Sequence, residues 1–322
     1  MAGFQTNTNQ YLIEDEVWSK QMKQLLLDDL FATKFVRIIG DFPTGNLINI
    51  PSIGEAEVQD FAEGAAVKYQ KLDEGNFEFS YDQYKYSAHS VSEKFKRDSM
   101  YAQEVIAAFP TRQHRAIMEG VETRIFNRAY AGQTVTDTNT INEADHRWWG
   151  SGTSTRITLQ DFAKAHFALS KANVPMTNLV AVVDPSVAYT LQTQTNLMNL
   201  LSPVPMWENI TREGIVTGFK FRFNIFGFDV YVSNYLPRGS TTVTDGTIDG
   251  VSASATPVAN FFFSAQSGDV CPIIGGFRQM PTVYSEFNKD KQETEYLTIT
   301  EYGFKLYRPE NMVTVLTNYD VV

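Results

Sequence analysis

The 322-residue sequence holds one cysteine and four histidines, and its 27 Lys and Arg are outnumbered by 37 Asp and Glu. Each shortage excludes something. A single cysteine, Cys271, permits no intrachain disulfide and no cysteine-based zinc cluster. Its neighbours Val270 and Pro272 mark it as a small buried hydrophobe, not an activated nucleophile. A formal charge of −10 argues against a nucleic-acid grip, which needs a dense Lys/Arg footprint. No apolar run approaches the roughly 20 residues that span a bilayer. The opening MAGFQTNTNQ lacks the cationic and apolar regions of a signal peptide. The expectation is a soluble chain made in a cytoplasm, with no membrane partner.

Catalytic motifs are also scarce. Neither GxGxxG nor GxxxxGK[ST] occurs, although Gly275-Gly276 follows an expected strand. His89, His114, His146 and His166 show no HExxH spacing. His146, beside Glu143 and Asp145, could bind a metal, but a charge-stabilised loop is the preferred reading, and His166 reads as a packing residue. The pairs Asp28-Asp29 and Asp73-Glu74 and the run Glu14–Glu16 are neighbours on exposed stretches, whereas acid–base work needs carboxylates converging across a cleft. Asp245 and Asp249 lack the spacing and terminal Glu of a calcium loop. No catalytic, cofactor or metal residue is assigned, and the chain reads as a non-enzyme.

What the sequence does have is apolar and aromatic: 43% hydrophobic residues, 23 Phe and 15 Tyr. That is enough for one complex domain or two, with extensive interfaces. After a polar leader, a helix is expected from about Glu14 to Ala32, then strands at Phe35–Gly40 and Asn46–Gly54. Phe77, Phe79 and Tyr81 alternate as in a strand, but Tyr84 and Tyr86 reappear one residue out of phase. Such a change flips the face and predicts a bulge or strong twist, with aromatic surface on both sides. The whole of Asn46–Val91 reads as a long excursion out and back.

Helical patterning begins after Lys96. A short helix is expected over Ser99–Phe109, and a longer one from Pro110 in its first turn to Ala131, with Gly132 as its C-terminal cap. Ile117, Val121 and Ile125 form its apolar stripe, and Arg115 and Glu119 are spaced to pair. Gly132–Arg156 reads as a polar loop holding Trp148-Trp149. Thr158 and Asp161 resemble a capping pair for a helix to about Ala172. LVAVVDP is a buried strand, SVAYTLQTQ a helix, and Phe219–Pro237 a strand–turn–strand. Arg238–Asn260 reads as an exposed loop or flexible hairpin, and long strands with a charged bend at Asn288–Glu293 follow.

The order of these elements, with AEG followed by Lys68, the DP turn at Asp184-Pro185, the GFDVYV strand and YRP at Tyr307–Pro309, resembles the major capsid proteins of tailed double-stranded DNA bacteriophages. The resemblance covers nearly the whole chain and implies the α+β, HK97-like fold. It divides the chain into an N-terminal arm (1–34), a peripheral domain (35–45 and 92–156, spine helix 110–131), an extended loop (46–91), an axial domain (157–276) and peripheral return strands (277–322). It also implies pentamers and hexamers of the chain itself in an icosahedral virion shell made in a bacterial cytoplasm. A portal and a possible decoration protein would join that shell, and DNA would be enclosed without sequence-specific binding.

On this reading Lys68, Tyr69, Lys71, Phe77, Phe79, Tyr81, Tyr84 and Tyr86 of the extended loop contact a neighbouring subunit. Some relatives cross-link a loop Lys to an Asn, but aligning Leu297–Ile299 puts Glu295 at the acceptor position, so no cross-link is expected. The chain begins almost at the arm, which implies a separate scaffolding protein. Two rivals remain: an encapsulin-type nanocompartment shell of the same fold, and a β-rich adhesin that binds sugars through Trp148-Trp149.

Overall fold

The computed structural model describes residues 30–40, 47–53, 60, 74–99, 102–133, 137–193, 221–239, 243, 256–266 and 268–319. In chain order the strands and α-helices are β1 (Val36–Ile38), β2 (Leu47–Ile53), β3 (Glu74–Ser80), β4 (Gln83–Ser92), α1 (Glu93–Asp98), α2 (Ala102–Ala131) and β5 (Arg147–Trp149). There follow α3 (Leu159–Lys171), β6 (Leu179–Val183), α4 (Pro185–Thr193), β7 (Phe221–Ile225), β8 (Phe228–Val232), β9 (Pro257–Ser264), β10 (Ile273–Asn288), β11 (Glu293–Leu306) and β12 (Val313–Asn318). Most of the helix expected from Glu14 lies outside the described residues. At its expected end Ala32–Phe35 form a single 3-10 turn.

The strands make three sheets: β1-β10-β11-β4, β5-β12-β9-β6-β8-β7, and the pair β2-β3. The six-stranded sheet is covered on both faces, which is why LVAVV and PVANFFFS are continuous apolar runs, buried throughout, and do not alternate. Phe162, Ala165 and Leu169 of α3 and Val187 and Leu191 of α4 pack on one face. Val121, Ile125 and Phe126 of α2 pack on the other, with Phe31 and Phe35. Each fully buried side chain of this size contributes about 1.5–3 kcal/mol through burial. The Thr158/Asp161 capping box starts α3, with Asp161 Oδ2 accepting the Thr158 N–H at 2.7 Å.

Several expectations are corrected here. One helix, α2, runs unbroken from Ala102 to Ala131 with Pro110 in its interior. Such a proline costs about 3 kcal/mol. Packing on both sides of it, Phe109 against Tyr296 and Ile117 in the core, holds the two expected helices in line. Gly132 does not use the left-handed backbone of a glycine cap. A Cβ there would collide with Leu306, so close packing explains the residue. Trp148-Trp149 is a buried strand, because β5 adds in parallel to β12. Pro257–Asn260, expected in an exposed loop, opens the fully buried β9, and the Asn260 amide donates to the Val315 carbonyl and Thr317 Oγ1 of β12.

The larger sheet also crosses the expected division at 157–276, taking β5 from before it and β12 from after it. In turn β10, from Ile273, belongs to the four-stranded sheet.

Candidate assembly surface

The antiparallel β2–β3 hairpin pairs Leu47 with Ser80 at its root and Ile53 with Glu74 further out. Two residues, Tyr81 and Asp82, then carry the chain into β4, which pairs with β11 in the other sheet. This crossing accounts for the aromatic phase change. It is a passage between sheets, where a bulge or twist within one ribbon was expected, and Gln83–Val91 is not part of the hairpin.

Successive residues of β11 face opposite sides. Tyr296 and Thr298 face α2: Phe109 packs on Tyr296, and Thr298 Oγ–H donates to the buried Gln113 at 2.8 Å. Leu297, Ile299, Glu301, Gly303 and Lys305 face the other way. The inner end of that second face is covered by the chain's own hairpin root. Gly276 and Gly303 lie opposite one another there. A methyl group on Gly303 would overlap the Ser80 carbonyl oxygen, and one on Gly276 would lie 2.7 Å from the Ile39 carbonyl oxygen. Over these glycines sits a small core of Ile48, Phe79, Tyr81 and Ile274. Lys305 Nζ donates to the Glu78 carbonyl at 2.8 Å and stands 4.7 Å from the Phe77 ring centre.

Asp82 fastens the crossing to α2. Its Oδ2 accepts hydrogen bonds from both Arg124 and Arg128. Burial alone would raise the Asp82 carboxyl, but the Arg128 and Arg124 hydrogen bonds outweigh it and hold the group below the usual carboxylate range. Burial pushes the Tyr81 hydroxyl up.

Further out the same face is more open, with Leu297 and Ile299 half-buried. Tyr84 and Tyr86 are 62% and 70% exposed and stand opposite Glu301 and Ile299. Leu297 joins Ala88 on one side to Tyr284 on the other, and Tyr284 is exposed. The result is a stripe of tyrosines and aliphatics across three strands. Met280, Val283 and Phe287 add exposed apolar area to β10, which the sequence reading did not select. The available signal was the loss of alternation in MPTVYSEF, where Val283 and Tyr284 point to opposite faces.

The proposed loop contacts therefore separate. Tyr84 and Tyr86 are open, and Phe77 is partly covered by Tyr307 at 5.0 Å between ring centres. Phe79 and Tyr81, only 1% and 5% exposed, are enclosed by their own chain and are corrected from contact residues to core residues. Lys68, Tyr69 and Lys71 lie outside the described residues. Glu295 faces Glu286 across the β10–β11 pair and accepts from Asn288 Nδ2 at 3.0 Å.

Among the described residues no group of three or more His, Cys, Asp or Glu is placed to hold a metal ion, and no helix is long and apolar enough to cross a membrane. His146 is fully buried, and its Nδ1–H donates to the Ala144 carbonyl at 3.0 Å. Trp148 and Trp149 are core residues, which removes the sugar-binding platform of the adhesin reading.

Residues 78–315 match a family model described as phage capsid protein. The chain belongs to the phage capsid protein family. No protein in a comparison with curated sequences matches it. Solved structures similar to this capsid protein include one of Mycobacterium phage Che8, at 17% identity and TM-score 0.64 over 95% of this chain and 97% of that one. The capsid of cyanophage P-SCSP1u aligns at 14% identity and TM-score 0.66 over 96% and 93% of the two chains. The capsid asymmetric unit of cyanophage Pam1 aligns at 13% identity and TM-score 0.65 over the full length of both. At such identities the likeness is one of fold, and the fold is the α+β, HK97-like one. The capsid protein is a structural component of the virion shell.

Proposed function

We propose that this capsid protein assembles with itself into pentamers and hexamers that close into an icosahedral shell around the double-stranded DNA of a tailed phage. The carrying observation is the stripe of exposed Tyr84, Tyr86 and Tyr284 beside half-buried Leu297 and Ile299, running across three strands of the four-stranded sheet. A contiguous apolar stripe on a soluble subunit marks a protein interface, and tyrosine suits one that stays wet at its edge.

In this reading the four-stranded sheet with α2 forms the peripheral domain and the six-stranded sheet the axial domain. The β2–β3 hairpin is the extended loop, reaching over a neighbouring subunit. Phe77, Tyr84 and Tyr86 line the seam between chains, and Lys68, Tyr69 and Lys71, outside the described residues, are further contacts with the neighbouring subunit in this proposal. The acidic balance suits a wall that encloses DNA without binding it tightly. A separate scaffolding protein, a portal and, where one binds the outer surface, a decoration protein complete the particle, and the subunits are made in the host bacterial cytoplasm. The nanocompartment alternative is disfavoured by the family match.

Negative-stain microscopy of the chain, expressed with and without a candidate scaffold, tests this. Closed shells, tubes or sheets of pentamers and hexamers are expected, with DNA inside native particles. A monodisperse monomer under all conditions would overturn the shell reading, and shells filled with a protein cargo would favour the nanocompartment.

A further inference from the structure

The second half of α2 grips two different excursions of the chain from opposite sides. Glu122 is 2% exposed, and its Oε2 accepts the backbone N–H groups of Phe31 at 2.9 Å and Ala32 at 3.4 Å. Phe126, one turn on, packs edge-on against Phe31 with ring centres 6.5 Å apart. Positions 124 and 128 are rotated by about 200° from 122 and 126 on a helix of 3.6 residues per turn. From that opposite side Arg124 and Arg128 both hold Asp82, at the root of the β2–β3 hairpin. Two turns of one helix therefore carry the root of the N-terminal segment on one face and the hairpin root on the other.

We propose that Glu122, Arg124, Phe126 and Arg128 form a coupling segment, through which loosening or turning of the hairpin root is transmitted to the N-terminal root, and the reverse. The two grips differ in character. The Glu122 carboxylate is buried and its acceptor bonds to backbone N–H groups are shielded from salt. The Asp82 clamp is partly exposed, so ionic strength weakens it. The coupling is thus biased from the hairpin side. A contact made by the hairpin on a neighbouring chain would alter how firmly the N-terminal root is held.

Hydrogen exchange on the full chain tests the coupling whether or not the chain assembles, so its failure is distinguishable from failure of the shell reading. Asp82→Asn removes the charge that draws in both arginines. Exchange is expected to quicken at Tyr81–Gln83 and, on the order of fivefold or more, at the Phe31 and Ala32 amides. Glu122→Gln is expected to quicken exchange reciprocally at Tyr81–Gln83, and Asp82→Glu to stay near the parent at both places.

The Ile39 amide, bonded to the Gly275 carbonyl on the direct chain path between β1 and β2, should be unaffected. Quickening confined to the mutated root, or running through Ile39, would overturn the proposal. Amides of α3 report global opening. If a variant quickens those equally, the parent chain decides the matter, with ionic strength raised from about 0.1 M to about 1 M. Faster exchange at Phe31 and Ala32 with α3 unchanged supports coupling, and no change there refutes it.

Discussion

Tyr86 stands directly opposite Ile299 across β4 and β11, on the sheet face away from α2, and 70% of its surface is open. Seven residues earlier Phe79 is almost wholly buried under the same chain. The two aromatics should respond differently to substitution. Tyr84→Ser with Tyr86→Ser should leave unfolding free energy within about 0.5 kcal/mol per site while assembly, followed by light scattering or sedimentation, is largely lost. Phe79→Ala should cost about 3–5 kcal/mol in denaturant unfolding of the subunit. Equal loss of stability from both would mean that the tyrosines are ordinary packing residues.

Two glycines predict opposite signs. Gly303 allows the Ser80–Tyr81 backbone to lie against β11, and a methyl there meets main-chain atoms that cannot swing aside. Gly303→Ala should destabilise by about 1–3 kcal/mol, as overpacking does. Gly120, on the exposed side of α2, has nothing near the position of a Cβ. Gly120→Ala should stabilise by about 0.5–1 kcal/mol through helix propensity. Chemical denaturation midpoints of the two variants should move apart on either side of the parent.

Stability should decline on acidification in two stages. Burial holds the His146 imidazole below its ordinary pKa of 6.5, against the opposing pull of backbone carbonyls. The unfolded chain therefore takes up a proton there before the folded one does. The stabilisation is complete above about pH 6.5 and falls away as the pH drops towards the folded value. Asp82 adds a second loss at lower pH, because its folded pKa is depressed: its contribution is complete above the unfolded value of 3.8 and lost as pH falls through the folded one. Unfolding midpoints measured from pH 8 downwards should show the first slope in the parent and a flatter one in His146→Gln. An unchanged slope would remove His146 from the account.

Cys271 offers a label-free report of the fold. Its thiol is buried, donates to the Phe35 carbonyl at 3.0 Å, and is pushed up in pKa by that burial. Thiol reagents should react with native subunits on the order of a hundredfold more slowly than with the denatured chain. Rapid native labelling would show that the β1–β10 junction opens readily.

Local pattern made much of the fold legible. The every-fourth-residue stripe of Ile117, Val121 and Ile125 predicts the buried side of α2, and Thr158 with Asp161 predicts the start of α3, because both signals lie within a turn or two of sequence. Pairing between distant segments was not legible. Nothing near Trp148 announces that Val315 will lie beside it, so an expected polar loop is a buried strand. The tyrosines at 84 and 86 were visible as surplus aromatics. That Phe79 and Tyr81 differ from them depends on where the chain leaves one sheet for another, a property of β11 and its glycines more than of the aromatic stretch itself.

In the larger sheet β12 lies between β5 and β9, bonded to both. During synthesis the strands that flank it emerge long before it does. A nascent chain on the ribosome must therefore keep the buried edge of β9 and the whole of β5 without their partner until Val313–Asn318 has left the exit tunnel. Ribosome-bound intermediates would be sticky along that gap, and chaperone capture should peak late in translation. Chains stalled before residue 313 should be routed to proteolysis and so kept out of the growing wall.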